Sequence, residues 1–234
     1  MNAVRDLFVT GTDTGIGKTR VGVALLRALR ARGVRACGMK PVASGCEATA
    51  DGLRNDDALA LIAASDPVPA YSTCNPYAFA PPIAPHLAAR AIGDEIALAP
   101  IRAAFDVLRA HADRVVVEGV GGWMAPLSDS LAQADVARAL DLDVVLVVGL
   151  RLGCINHALL SARAIAADGC QLVGWIGNRI DPELACAEEN IATLRERLPA
   201  PCLGVLPFAQ LPDAVELAGH LGAALNVVAR SRET

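Results

Sequence analysis

Short apolar stretches and amphipathic segments alternate along most of the chain. The nearly continuous apolar stretches predict buried strands at 6–11, 34–40, 114–119, 143–150, 171–178 and 202–207. Apolar residues at helical spacing predict helices at 18–33, 55–65, 99–112, 155–169, 182–198 and about 212–225. The proline-rich segment 73–85 is expected to be a loop. This alternation predicts an α/β fold, with a doubly wound, mostly parallel sheet flanked by helices.

The composition fits one domain of this kind. The 234 residues are 53% hydrophobic and only 3% aromatic, and no shift in composition marks a boundary, so we expect a single domain over 1–234. The net charge of −4 and the lack of a basic tract argue against partners such as nucleic acid or anionic membranes. We see no apolar run long enough to cross a bilayer and no signal-peptide core. Seven scattered cysteines without a C-x-x-C pair are typical of a reduced, cytoplasmic protein.

Lysine is rare in this chain. Of the 21 basic residues, only Lys18 and Lys40 are lysine, and the others are arginine. A lysine ammonium is a compact point charge that the planar guanidinium of arginine cannot imitate. The alternative is that the two lysines occur by chance in an arginine-rich composition. The residues around each lysine are needed to distinguish a functional lysine from a chance one.

The segment GTDTGIGKT at 11–19 has the setting of a Walker A phosphate loop, because it follows a predicted strand and opens a predicted helix. Its backbone N–H groups and the helix N-terminus would bind phosphate, Lys18 would reach the β- and γ-phosphates, and the Thr19 hydroxyl would bind Mg²⁺. Five residues separate Gly11 from Gly17, whereas the standard motif has four. The alternative is a glycine-rich turn without a ligand, and the G-K-T sequence favours the phosphate site. We expect Lys18 to lie on a solvated loop.

Two carboxylates are candidates for further Mg²⁺ ligands, since this ion prefers oxygen. Glu118 lies at the end of the predicted strand 114–119, where a Walker B acid would project towards the nucleotide. Asp57 is the second candidate, but Asp56 beside it is equally suitable by chemistry. Either of these aspartates could instead occupy the first turn of a helix.

Seven motifs together resemble the dethiobiotin synthetase family. They keep the family's order and spacing from about residue 8 to about residue 208 and read VTGTDTGIGKT, GMKPVASG, GLRNDDALAL, CNPYAFAPPIAPHLA, VVVEGVGGWMAPL, VVGLRLGCINHALL and GWIGN. The five-residue gap in the phosphate loop is this family's own form. The resemblance implies a P-loop NTPase fold and an ATP- and Mg²⁺-dependent ligase. Such an enzyme carboxylates 7,8-diaminopelargonate with CO₂ and closes the ureido ring, giving dethiobiotin, ADP and phosphate in biotin biosynthesis.

The resemblance implies roles for the residues that carry the chemistry. Lys40 matches the family's catalytic lysine between carbamate and γ-phosphate, and Lys18 faces the same phosphate. Ser44 matches a serine that contacts the substrate. The implied metal ligands are Thr19, Asp57 and Glu118. This choice favours Asp57 over Asp56.

The resemblance also implies where the nucleotide and the substrate tail bind. Asn178 matches an asparagine that reads the adenine. The implied nucleotide-binding residues are Thr14, Gly15, Ile16, Gly17, Lys18, Thr19, Arg20, Glu118, Gly119, Val120, Gly121, Asn178, Arg179, Pro207, Phe208 and Ala209. Residues that would hold the substrate's carboxylate tail across a homodimer interface are Gly153, Cys154, Ile155, Asn156 and Asn190. Some relatives have an acidic residue at position 15, so glycine there leaves the nucleotide selectivity open.

Two other classes of P-loop protein remain as alternatives. A partitioning or metal-insertion ATPase commonly has a second lysine inside the phosphate loop, where this chain has Asp13 and Thr14. The synthetase domain of an amidotransferase that acts on a corrinoid would need an additional glutaminase domain, for which this length has no room. A switch would hydrolyse ATP without diaminopelargonate, whereas a ligase would stay nearly idle.

Overall fold

The computed structural model describes residues 6–208, which contain ten strands and eight helices. In chain order the strands are β1 (Leu7–Gly11), β2 (Ala36–Met39), β3 (Val42–Ser44), β4 (Glu47–Thr49), β5 (Gly52–Arg54), β6 (Tyr77–Phe79), β7 (Arg114–Glu118), β8 (Asp143–Leu150), β9 (Leu172–Arg179) and β10 (Cys202–Leu206). The helices are α1 (Lys18–Arg30), α2 (Asp56–Ala64), α3 (Tyr71–Cys74), α4 (Pro85–Ala91), α5 (Leu98–His111), α6 (Gln133–Ala139), α7 (Cys154–Ala167) and α8 (Ala187–Arg197). Among these residues, no helix combines the length and apolar character needed to cross a bilayer.

Six parallel strands form the central sheet, in the order β10-β9-β8-β1-β7-β2. The chain passes from β1 through α1 to the edge strand β2, and β7 then returns between them. The next strand, β8, lies on the other side of β1, so the winding reverses there. Ligands of open parallel sheets bind at such a switch point, beyond the carboxyl ends of the strands.

Apolar side chains cover both faces of this sheet. Phe8 belongs to one buried cluster, while its neighbours Leu7 and Val9 belong to the other. In β8, Val144, Leu146 and Val148 lie in the first cluster, and Val145 and Val147 lie in the second. Both faces are therefore dry, which explains why the strand reads as an uninterrupted apolar run. The predicted α/β class and doubly wound parallel sheet are confirmed.

The segment 73–85 differs from the loop that its prolines predict. It includes β6, which pairs in parallel with β3, and the Tyr77 N–H donates to the Pro41 carbonyl over 3.1 Å. Tyr77–Phe79 lies between prolines and is too short to show a periodic pattern. The helix predicted at about 212–225 lies outside the described residues, as does Ala209.

Candidate active site

A cavity of about 790 Å³ opens at the carboxyl edge of the sheet. The phosphate loop, the segments after β2 and β7, and the start of α2 contribute to its lining. The predicted site residues that line it are Thr14, Gly15, Gly17, Lys18, Thr19, Lys40, Ser44, Asp57, Glu118, Val120 and Gly121. The structure thus brings the predicted phosphate, metal and catalytic residues to one place.

The phosphate loop connects β1 directly to α1. Gly15 and Gly17 have φ of +73° and +86°, in the left-handed region that side chains disfavour. A Cβ at position 17 would lie only 2.3 Å from the Nδ2 atom of Asn178. Glycine is therefore required at position 17 both by backbone conformation and by the close approach of β9.

Lys18 is buried, with 6% of its surface exposed, so the expectation of a solvated loop residue is wrong. Its Nζ donates a hydrogen bond to the Asp13 carbonyl over 2.8 Å, because the side chain folds back onto the loop. Burial, followed by the positive charge of Lys40, lowers the pKa of Lys18 to about 8. Phosphate anions at this position would favour its charged form.

Lys40 follows the edge strand β2 and is buried, with 3% exposure. Its Nζ lies 2.5 Å from Glu118 Oε1 and 3.1 Å from Asp57 Oδ2. Glu118 ends β7, the strand beside β2, so parallel pairing brings the two side chains together. Burial opposes a charge on Lys40, but the attraction of Glu118 and Asp57 outweighs it and raises the pKa of Lys40. The ammonium therefore stays charged near neutral pH.

Three oxygen-bearing side chains lie close enough to hold one cation. The Thr19 hydroxyl donates to Glu118 Oε1 over 2.8 Å, and Lys40 bridges Glu118 and Asp57. Glu118 is only 1% exposed, and its Oε2 atom has no hydrogen-bond partner among the described residues. A hydroxyl and two carboxylates are suitable donors for Mg²⁺, which usually keeps several waters and takes phosphate oxygens as its other ligands. Lys40 pairs with Asp57, whereas Asp56 is exposed at the surface, so the geometry distinguishes the two aspartates.

An asparagine that sequence reasoning missed holds the backbone of Lys40. Asn75 is buried, and its Nδ2 donates to the Lys40 carbonyl over 2.7 Å. Its Oδ1 accepts from the Tyr71 hydroxyl, which in turn accepts from the Asn55 N–H. Asn55 is the N-cap of α2, the helix that carries Asp57, and its side chain accepts from Ala58 N. This chain of bonds fixes Lys40 relative to Asp57, and the sequence signalled it only through the motif that contains Asn75.

The rest of the cavity lining is mainly apolar. Residues that sequence reasoning did not assign to the site are Ala43, Asn55, Pro82, Ile83, Ala84, Pro85, Gly122, Ala125 and Pro126. Ser44 is beside them, and its buried Oγ has no partner among the described residues. An apolar wall with one unpaired hydroxyl suits a ligand with an aliphatic chain and a polar end.

The predicted adenine-reading residues lie behind the phosphate loop, outside the lining of the cavity. Asn178 is 2% exposed, donates from Nδ2 to the Ile16 carbonyl over 2.7 Å, and accepts at Oδ1 from Arg20 over 2.7 Å. Arg20 also donates to the Pro207 carbonyl over 2.7 Å, and Phe208 is 46% exposed. Gly119 contributes a carbonyl 3.4 Å from Lys40 Nζ, and Arg179 pairs with Glu188.

The predicted substrate-tail residues do not line the cavity of the same chain. Gly153, Cys154, Ile155 and Asn156 lie where β8 leads into α7, and the preceding Arg151 pairs with Asp13 of the phosphate loop. Asn190 lies on α8 and donates to the Cys186 carbonyl over 2.8 Å. Their predicted role across a dimer interface stays a prediction.

Comparisons with known proteins identify the family of this chain. A profile of the AAA domain family matches residues 5–215. The chain is 64% identical, over 207 residues, to the ATP-dependent dethiobiotin synthetase BioD of Xanthomonas oryzae pv. oryzae strain PXO99A, covering 88% of this chain and 92% of that protein. It is 60% identical, over 205 residues, to the protein of the same name from Xylella fastidiosa strain Temecula1, covering 88% of this chain and 91% of the relative.

Solved structures share the fold at low sequence identity. The MinC:MinD cell division protein complex of Aquifex aeolicus matches with a TM-score of 0.57 and 15% identity, over 93% of this chain and 86% of that one. The cell division protein FtsY of Thermotoga maritima matches with a TM-score of 0.50 and 17% identity, over 93% and 68% of the two chains. These likenesses confirm the P-loop NTPase type of fold and nothing more specific. At 60–64% identity over most of their length, the sequence relatives show more: this chain belongs to the ATP-dependent dethiobiotin synthetase family.

Proposed function

We propose that this chain is an ATP- and Mg²⁺-dependent cyclo-ligase of biotin biosynthesis. It carboxylates 7,8-diaminopelargonate with CO₂ and closes the ureido ring, giving dethiobiotin, ADP and phosphate. The observation that carries the proposal is the cluster of Lys40, Glu118, Asp57 and Thr19 beside the phosphate loop in a chain of this family, with Lys40 and Glu118 buried. We also propose that residues 1–234 form one domain.

The reaction has three steps. One amine attacks CO₂ and loses a proton, which leaves a carbamate. A carbamate oxygen then attacks the γ-phosphorus and releases ADP, giving a mixed anhydride. The second amine attacks the carbonyl carbon, expels phosphate and loses a proton as the ring closes. The middle step brings two anions together, so positive charge at the site lowers its barrier.

Lys18 and Lys40 both line the cavity and would supply that charge. Lys18 begins α1 directly after the phosphate loop, and Lys40 follows β2, the edge strand of the central sheet. We expect Lys40 to exchange one carboxylate partner for carbamate and γ-phosphate oxygens when the substrates bind. Thr19, Asp57 and Glu118 would hold Mg²⁺, which when bound supplies further positive charge to the phosphates.

The remaining lining positions the diamine. The unpaired Ser44 hydroxyl is suited to accept from, or donate to, the amine and carbamate. Ile83, which is 46% exposed, and the prolines beside it offer an apolar wall for the aliphatic chain of the substrate. We assign the base of ATP to Asn178 and to the segment from Pro207, because these residues adjoin the phosphate loop.

We further propose a cytoplasmic homodimer in which a second copy supplies residues 153–156 to the substrate tail. Support comes from their position away from the cavity of their own chain, and from two exposed apolar side chains, Leu152 and Met124, which are 90% and 70% exposed. A carboxylate at the start of α7 would also benefit from the helix dipole. Mixing an inactive Lys40→Met variant with an inactive Asn156→Ala variant tests this. If each site uses both chains, mixed dimers regain activity, whereas two independent sites stay inactive.

Phosphate release with Mg-ATP, diaminopelargonate and bicarbonate, each omitted in turn, tests the reaction itself. We expect release only when all are present, together with dethiobiotin identified by mass. Equal phosphate release without the diamine would contradict the ligase and favour a nucleotide-driven switch.

A further inference from the structure

The guanidinium of Arg20 joins three elements at the carboxyl edge of the sheet. Arg20 lies in the first turn of α1, and its Nη1 donates to Asn178 Oδ1 at the end of β9 over 2.7 Å. Its Nη2 donates to the Pro207 carbonyl just after β10, also over 2.7 Å. Asn178 completes the connection by donating from Nδ2 to the Ile16 carbonyl of the phosphate loop.

These partners fix which way the Asn178 amide points. Arginine has only donors, so it must meet the amide oxygen, and a backbone carbonyl has only acceptor positions, so it must meet the amide nitrogen. If the amide were flipped, its NH₂ group would face the N–H donors of Arg20, and its oxygen would face the carbonyl oxygen of Ile16. An asparagine amide has two acceptor and two donor positions, and these two bonds occupy one of each. Within residues 6–208, one lone pair on Oδ1 and one N–H on Nδ2 are left without a partner, and the two bonds fix which side of the amide each of them occupies.

We propose that Arg20 is a positioning residue that sets the base selectivity of the nucleotide site. By holding Oδ1 and the Pro207 carbonyl together, it presents the free acceptor and donor of Asn178 to the base in one orientation. This pair matches the N6 amino group and N7 of adenine, whereas a 6-oxo purine offers two acceptors on the same edge. The proposal rests on the base contact of Asn178 in the proposed function.

Arginine is suited to this role because its planar fork reaches two acceptors at once. A lysine keeps the charge but donates from a single atom, so it cannot hold Oδ1 and the Pro207 carbonyl in the same fixed geometry. The substitution Arg20→Met removes all donors while keeping an unbranched apolar stem, and so leaves the Asn178 side chain with the Ile16 carbonyl as its one orienting partner in the described part of the chain.

Calorimetric titration of the full chain with ATP, ITP and inorganic tripolyphosphate tests the proposal. ITP differs from ATP by a 6-oxo group in place of the amino group, and tripolyphosphate has no base. For the unmodified chain we expect ATP to bind about 10-fold or more tightly than ITP, as for a bidentate asparagine–adenine pair. In Arg20→Met, ATP affinity should fall by about 10-fold, the loss expected for a hydrogen bond to a charged group, with ITP affinity little changed. Tripolyphosphate affinity should stay the same.

Arg27→Met is the matched control, since it makes the same change on the same helix about 10 Å further along the axis. It should leave all three affinities unchanged. If Arg20→Met lowers the melting temperature so far that it cannot be titrated, Arg20→Lys decides instead. We expect Arg20→Lys to reduce the preference for ATP, and a full ATP preference in that variant would overturn the proposal.

Asn178→Ala separates this inference from the base contact on which it rests. If Arg20 acts through Asn178, both single variants lose the preference for ATP, and the double variant loses no more than Asn178→Ala alone. If Asn178→Ala keeps the preference for ATP, Asn178 does not contact the base, and the Arg20 proposal is overturned with it. The proposed ligase reaction is tested separately, by the phosphate-release assay. If Asn178→Ala loses the preference but Arg20→Met retains it, only the Arg20 proposal is overturned. An equal loss of affinity for all three ligands in Arg20→Met, or no ATP preference in the unmodified chain, would also overturn it.

Discussion

Replacing Lys40 by arginine keeps the positive charge but changes where it lies. The Nζ atom of Lys40 is enclosed by Glu118 Oε1 at 2.5 Å, Asp57 Oδ2 at 3.1 Å and the Gly119 carbonyl at 3.4 Å. In arginine the guanidinium carbon takes the place of Nζ, and the terminal nitrogens extend about 1.3 Å beyond it. With Glu118 so close, the fork has no room without moving either the carboxylate or the main chain. A role that depends only on long-range charge would survive this change, whereas a role in direct contact would not.

The expected loss follows from this displacement. Misplacing a reacting or stabilising group by about 1 Å costs about 10² in rate, and losing a well-placed donor to developing negative charge costs about 10²–10³, or about 2.7–4 kcal/mol. We therefore expect the turnover of Lys40→Arg to fall by about 10²–10³. ATP should still bind, because Lys18 and the loop backbone are unchanged, while diaminopelargonate affinity should fall. Crowding at a site that is 3% exposed should also cost about 1–3 kcal/mol of stability.

Phosphate release and ATP calorimetry, on the same preparation, measure the two effects. Arg195→Lys on α8, at an exposed position, is the matched control for an exchange of the two basic residues. It should keep full turnover. If Lys40→Arg turns over within a few-fold of the unmodified chain, Lys40 does not contact the reacting groups, and its place between Glu118 and Asp57 is structural.

Three further substitutions test the same site. Lys18→Ala should abolish turnover and weaken ATP binding while the chain stays folded, and near-normal turnover would refute the phosphate-loop assignment. Glu118→Gln should shift the Mg²⁺ dependence of turnover to higher concentrations more than it changes the KM for diaminopelargonate, because a hard anionic ligand is lost; an unchanged Mg²⁺ titration would show that Glu118 is not a ligand. Asn75→Ala removes the bond to the Lys40 carbonyl, so kcat should fall by about 10-fold with the KM for ATP unchanged. Equal kcat in Asn75→Ala would mean that Lys40 is positioned without it.

The central sheet could be predicted because its strands are buried on both faces. The segment 143–150 matches β8 at both ends, since an apolar run of this length between polar segments is typical of a strand that is dry on both faces. The short elements at the edge of the site could not be predicted in the same way. Tyr77–Phe79 and Val42–Ser44 are three-residue strands that exist because they pair with each other, and a contact between segments about 35 residues apart leaves no periodic signal.

Residue chemistry alone gave a short set of candidate site residues, but the structure was needed to show which of them contact one another. The G-K-T sequence identified Lys18, whereas the role of Lys40 and the choice of Asp57 over Asp56 both came from the family resemblance. The fold separates them directly, because α2 turns Asp57 towards Lys40 and leaves Asp56 at the surface. For Lys18 the sequence-based prediction was wrong. A glycine-rich loop predicts a side chain exposed to solvent, but the Lys18 side chain is buried and donates to the Asp13 carbonyl.

The two lysines are held in different electrostatic surroundings, and this difference explains how they can share one site. Burial and the charge of Lys40 lower the pKa of Lys18, whereas Glu118 and Asp57 keep Lys40 charged despite its burial. The same two carboxylates are the proposed Mg²⁺ ligands, so the metal and Lys40 share them. In the protein alone, two ammonium groups and two carboxylates are nearly balanced in charge. If these carboxylates bind Mg²⁺ as proposed, they would neutralise less of the charge on Lys40, and that charge would then be available to the carbamate and the γ-phosphate. Mg²⁺ would thus also be required for Lys40 to present its full charge to the substrates. Glu118→Gln and Lys40→Arg test this coupling by changing one partner each of the Lys40–Glu118 ion pair.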